Sequence, residues 1–123
     1  MADTQNLAAK PMREWTWSGT EKIAARKAFD LALRKELDSA INEAKERAAR
    51  ISEATELWAL EEWLGKRRRK IDSTFDYRYS VLPEVFAGLI YNGVLTLEQL
   101  NGIAPEKVDY IRKIVDWANS RAE

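Results

Sequence analysis

The run from Ser18 to Ile51 constrains this chain most. After Gly19 it holds no proline and no glycine. Its apolar residues recur at Ala25, Phe29, Leu33, Leu37, Ile41 (or Ala40), Ala44, Ala48 and Ile51, which is the spacing of one helix face. Ser18-Gly19-Thr20-Glu21 fits a capping box, with Ser18 accepting from the third amide and Glu21 reaching back to the cap. Trp17, just before the cap, is placed to pack on the first turn. A helix of this span is about 50 Å long at a rise of ~1.5 Å per residue. A 123-residue chain is one domain and cannot wrap both ends of such a rod. Part of the stripe therefore needs a helix from a second copy, and a homodimer is expected. The alternative is a kinked helix folding back into an intramolecular bundle. The alanine-rich end, residues 40–49, allows close helix approach but equally raises helix propensity without contact.

A second helix is expected from about residue 55, with Thr55 or Ser52 as its cap, to about Leu82. Its stripe is Leu57, Leu60, Leu64, Ile71, Phe75 and Leu82, broken between Leu64 and Ile71 by Arg68 (or Arg67, one position round). A guanidinium stays charged there, so it must reach water or a carboxylate: Glu61 or Glu62 before it, Asp72 after it. Gly65 weakens the helix slightly, and Ser73-Thr74 is a further weak point. Pro83 suits the first turn of a third helix ending at Asn92-Gly93, a left-handed cap signal. Thr96-Leu97-Glu98-Gln99 is a second capping box, opening a short helix that stops at Asn101-Gly102. Ala104-Pro105-Glu106 starts the last helix, with Val108, Ile111, Ile114 (or Val115) and Ala118 on one face. The expected fold is all-α: a long helical stalk of two helices (about 18–82), a small helical head (about 83–123), and a flexible leader (1–14) outside the single domain 15–123.

The residue inventory removes most chemistry. There is no cysteine and no histidine, which excludes thiolate metal sites, thiol nucleophiles and the commonest general base. No glycine-rich phosphate loop is present. No catalytic, cofactor or metal residue is assigned, and the protein is read as a non-enzyme without cofactor. No apolar run approaches a membrane span, and the N-terminus lacks a signal-peptide core, so a cytoplasmic protein is expected. The 20 basic and 20 acidic side chains cancel, against a general nucleic-acid binder. Lys66-Arg67-Arg68-Arg69-Lys70 still supports an alternative, a small dimeric nucleic-acid or regulatory module, because five successive cations form a collar round a helix. Of the five tryptophans, Trp15, Trp17 and Trp117 read as core or capping residues, whereas Trp58 lies off the stripe of its own helix and Trp63 beside it. Tryptophan and arginine are favoured anchors of protein interfaces.

Residues 57–80 carry a further signal: Leu-Trp-x-Leu, two polar residues, an aromatic, Leu, then Arg-x-x-Ile-Asp-x-x-aromatic-Asp-x-Arg-x-Ser. This order resembles the fluorescence recovery protein family, from about Trp17 to the C-terminus and most specifically across 57–80. The resemblance implies an all-helical homodimer that binds light-activated orange carotenoid protein and speeds its return to the resting state, ending photoprotective quenching. A divergent relative with a different protein partner is the alternative it leaves. Trp58 and Arg68 fall where the family has a functional tryptophan and arginine. Glu61 and Glu62 stand where it has a His-Asp pair, and Glu84 where it has an exposed aromatic. Residue pattern and resemblance together point to a dimer and partner surface of Trp58, Glu62 and Arg68, with Glu61 and Lys66 near it.

Overall fold

The structure, a computed structural model, describes residues 15–122; the expected leader, 1–14, lies outside the described residues. Four α-helices and one 3-10 turn follow in order: α1 (Gly19–Ala49), α2 (Ala54–Thr74), α3 (Leu82–Tyr91), the 3-10 turn (Leu97–Leu100) and α4 (Pro105–Ala122). No strand occurs among the described residues.

The first helix forms as its sequence dictates. Ser18 Oγ accepts from the Glu21 amide at 3.1 Å, and Glu21 Oε1 accepts from the Ser18 amide at 3.0 Å, closing the capping box. The helix then runs unbroken for 31 residues, roughly 46 Å. The second helix departs from expectation at both ends. Its N-cap is Glu53, not Ser52 or Thr55, and Glu56 Oε1 gathers the Ser52 amide, the Ser52 hydroxyl and the Glu53 amide, each at 3.0 Å. Those hydrogen bonds hold the Glu56 carboxyl below its ordinary pKa. The helix stops at Thr74 instead of continuing to Leu82, and Ser73 Oγ turns back to the Lys70 carbonyl at 3.0 Å.

The cause of that stop lies in the five residues after it. Phe75 and Tyr77 lie on irregular chain and Tyr79 in the turn before α3, and all three rings reach α1 or the residues just before it. Phe75 and Tyr77 meet Phe29 edge-on at centroid distances of 5.4 and 4.8 Å, and Tyr79 reaches Trp17 at 5.4 Å. Arg26 lies 4.6 Å above the Tyr77 ring. A continuing helix would send Tyr77 to the face opposite Phe75 and Tyr79, whereas leaving the helix half-buries all three rings. Burial, and then the neighbouring Tyr79, pushes the Tyr77 phenol up to about 12, so it stays neutral at physiological pH.

Leu82, expected on the stripe of the second helix, is instead fully buried at the start of α3. It joins Phe86 and Leu89 of α3, Leu95, Leu100 and Ile103 of the following turns, and Ile111 and Val115 of α4. These close on Trp17, Ala25, Ala28, Phe29 and Ala32, the first half of α1. Gly102 makes that closure possible: its φ is +104°, and a Cβ there would sit 2.8 Å from the Ala24 Cβ.

Beyond Ala32, α1 buries no residue, and α2 buries none anywhere. The two helices form an antiparallel hairpin, since Phe29 meets Phe75 at one end while Arg47 meets Trp63 toward the other. The apolar stripe of α1 advances in steps of four, and each step turns about 40° round the helix at ~100° per residue. Ala25 and Phe29 therefore face the core, whereas Leu37 and Ile41 have walked round to the surface, 40% and 48% exposed.

One buried ion pair binds α1 to α4. Lys107 Nζ donates to both Glu21 oxygens at 2.9 Å and to the Thr16 carbonyl at 2.6 Å, over the Trp17 ring at 4.5 Å. Glu21 Oε2 also accepts from the Ala104 amide at 2.9 Å. Burial alone raises the Glu21 pKa; the Ser18 amide, Lys107 and the Ala104 amide outweigh it and hold the carboxyl below its ordinary 4.5. Because folding lowers this pKa, the pair's contribution is complete above 4.5 and is lost as pH falls through the lower, folded value. Lys107→Met strands the carboxylate and should lower stability by about 3–5 kcal/mol at neutral pH. Urea unfolding should show that penalty shrinking at acid pH, where Glu21 protonates in both states; an unchanged neutral-pH midpoint would contradict the role given to the pair. Gly102→Ala should cost about 1–3 kcal/mol and more than Gly93→Ala, whose φ of +77° is also left-handed but whose added Cβ meets nothing.

Candidate protein-binding surface

Arg67 settles which arginine belongs inside the chain. It lies on the inner face of the hairpin with Leu60, Trp63 and Ile71, and its side chain is 23% exposed. Its guanidinium sits 3.7 Å from both Glu36 and Glu43 of α1. Glu43 also takes two hydrogen bonds from Arg47, at 3.0 and 2.9 Å, and Arg47 stacks over Trp63 at 4.7 Å. A polar ladder thus occupies the seam where an apolar one is usual.

Arg68 points the other way. Its side chain is 85% exposed, and its nearest carboxylate is Asp72, one turn on, at 3.8 Å. Glu61 is exposed at the same helical face, and Glu62 pairs with Lys66 at 3.0 Å in open solvent. Trp58 is 62% exposed and has Leu57 and Leu64 beside it, at 46% and 43%. Helical spacing puts Leu57, Glu61, Leu64 and Arg68 in one line, with Trp58 along its edge.

Leu37 and Ile41 of α1 lie on the same side of the hairpin as that line. Both apolar sets are displaced in the same rotational sense from the seam, and in an antiparallel pair this brings them to one side. The opposite side carries Lys35, Asp38, Asn42, Glu46 and Arg50. Of the five residues marked by sequence, Glu61 and Arg68 fall in that line and Trp58 at its edge, whereas Glu62 and its ion-pair partner Lys66 sit further round the helix. Leu37, Ile41, Leu57 and Leu64 complete the surface; sequence spacing had put them on the apolar stripes of the two long helices, with part of the first stripe left for a second copy. The signal that separates them is rotational: steps of four from Ala25 drift off the core side.

The basic run is dispersed. Lys66, Arg67 and Arg68 engage Glu62, the Glu36 and Glu43 pair, and Asp72. Asp76, expected one turn from Asp72 on a continuing helix, lies past the helix end and is chelated by Arg78 at 2.6–3.0 Å. That guanidinium holds the Asp76 carboxyl below its ordinary pKa. No group of three or more metal-ligating side chains occurs among the described residues, and no helix there is long and apolar enough to cross a membrane. Trp117 is not core: it is 63% exposed with Arg121 over its ring at 5.2 Å, because the buried side of α4 runs through Lys107, Ile111 and Val115.

Residues 17–115 match the sequence model of the photoprotection regulator fluorescence recovery protein family. The fluorescence recovery protein of Synechocystis sp. PCC 6803 is 33% identical over 101 residues, covering 82% of this chain and 93% of that protein. Its solved structure superposes with a TM-score of 0.78 at 32% identity, covering 82% of this chain and 99% of the other. The Fremyella diplosiphon fluorescence recovery protein superposes with a TM-score of 0.77 at 37% identity, over 80% and 97% of the two chains. The match spans both the hairpin and the aromatic-rich core, and the chain belongs to the photoprotection regulator fluorescence recovery protein family.

Proposed function

We propose that this chain is a non-enzymatic cytoplasmic regulator that binds light-activated orange carotenoid protein and accelerates its return to the resting form. The observation that carries this reading is Trp58, a 62% exposed tryptophan on a helix with no core of its own, beside the line of Leu57, Leu64 and an unburied arginine. An aromatic and an arginine in that setting are the anchors protein interfaces favour. The hairpin acts as the stalk of a homodimer, and residues 83–123 form its head. Two copies meet through Leu37, Ile41, Leu57 and Leu64. Arg68 of one copy reaches Glu61 or Glu62 of the other and fixes their register.

No bond is made or broken in the partner. The regulator binds the state along the closing path more tightly than the fully open one, and that difference in affinity lowers the barrier to closure. Where the family has a His-Asp pair this chain has two glutamates, so the surface beside Trp58 lacks an imidazole.

The test is the dark decay of the red, light-activated carotenoid protein with equimolar regulator. The orange absorbance should return faster with the native chain. Trp58→Ala should lose about 2 kcal/mol or more of partner affinity without changing the fold, since the ring is exposed. Arg68→Leu should cut the acceleration about tenfold, equal to ~1.4 kcal/mol of barrier. No acceleration by the native chain would retire the partner, and full activity in both variants would retire the surface.

A further inference from the structure

A cavity of about 270 Å³ opens where the hairpin meets α3, one to two turns along α2 from the surface above. Ile71, Phe75 and Leu89 form its apolar wall, and Arg67, Lys70 and Glu36 its polar one. The volume is near the lower end of the ~300–1,000 Å³ typical of ligand pockets. It admits one ring or one branched chain.

Its charges are unevenly used. The Arg67 side chain is more than three-quarters covered, yet its two carboxylates stand 3.7 Å away and it makes no hydrogen bond among the described residues. A guanidinium has five N–H donors in a planar fork, and one held this loosely has donors to spare. Lys70 has no ion pair among the described residues and extends the positive side of the wall. Glu36 is the one acid in the lining and already faces Arg67. Arg67 and Arg47 balance Glu36 and Glu43, and Lys70 leaves the cavity with a positive charge over an apolar floor.

We infer that this cavity is a binding site for a small carboxylate with a compact apolar body, its oxygens on Arg67 and Lys70 and its ring or branch against Ile71, Phe75 and Leu89. A planar carboxylate matches the arginine fork in bidentate fashion, and a charge-assisted pair of this kind is stronger in a partly dry site. The site is independent of the partner surface proposed above, and its occupant is a free metabolite-sized acid, not a protein segment.

Benzoate serves as the probe, titrated into the full-length protein and followed by backbone amide shifts. Saturable shifts should appear at Lys70, Ile71, Phe75, Leu89 and Asn92, and benzylamine of the same shape and opposite charge should give none. Acetate should bind at least tenfold more weakly than benzoate, because it leaves the apolar wall uncovered. Lys70→Gln alters an exposed side chain and keeps the hairpin seam, so it should weaken benzoate about tenfold with the spectrum otherwise intact. Arg67→Gln should abolish binding, read at temperatures where its spectrum shows a folded protein. Non-saturable shifts, equal response to benzylamine, or shifts centred on Trp58 and Leu64 would overturn the assignment.

Discussion

The Glu21–Lys107 pair fixes the arrangement on which everything else rests. Taking two charges out of water is expensive, and the expense is offset only when every remaining donor and acceptor is satisfied. Here the ammonium spends its three protons on Thr16 and the two Glu21 oxygens. The carboxylate also accepts the Ser18 and Ala104 amides. One pair therefore caps α1, holds the segment before it, and pins the turn that opens α4. An apolar contact at this point could slide; a pair with five directed hydrogen bonds sets one register. That register aims α1 away from the core, and with it the hairpin that α1 and α2 build.

The outer hairpin answers to different physics. No residue of α2 is buried, and the α1–α2 seam relies on Arg67 with Glu36 and Glu43, and on Arg47 stacked over Trp63. Ion pairs at 3.7 Å and stacked cations are worth little apiece near a protein surface. Meanwhile Leu37, Ile41, Leu57, Trp58 and Leu64 present apolar area to water. A seam that mixes these charges with Leu60, Trp63 and Ile71, beside an exposed apolar flank, is not that of a self-sufficient helical hairpin. A second chain covering the flank would supply the missing burial, and it explains why the charged seam suffices. In the proposed homodimer, assembly would then be coupled to the surface offered to a partner.

Much of this was legible in the residues. Both Ser/Thr-x-x-Glu/Gln capping boxes, the Asn92-Gly93 and Asn101-Gly102 stops, and the Pro83 and Pro105 starts all rest on local chemistry, and all appear in the structure. What failed was nonlocal. The stop at Thr74 is decided by three rings that gain more from Phe29 and Trp17 than from another helical turn, and nothing within residues 70–82 announces Phe29. Sequence spacing put Arg68 on the stripe, with Arg67 one step round as the alternative, and the structure turns Arg67 inward instead. The two acids of α1 that choose Arg67 lie 24 and 31 positions away. Lys107 sat unnoticed because a lysine one turn into a helix is ordinarily solvated; its burial depends on Glu21, 86 residues earlier. Trp58 stood out because a tryptophan off the stripe of its own helix needs an explanation from outside it, and its ring is exposed in the structure.

The most direct test of the account is the solution mass of the full chain by light scattering, across a concentration series into tens of micromolar. The account requires a mass of twice the 14.2 kDa of one chain, falling to a single chain when Leu64→Glu places a charge in the apolar flank. A native chain that stays monomeric throughout the series would contradict it. So would a dimer that Leu64→Glu leaves intact, because the exposed flank of the hairpin would then not be where two copies meet.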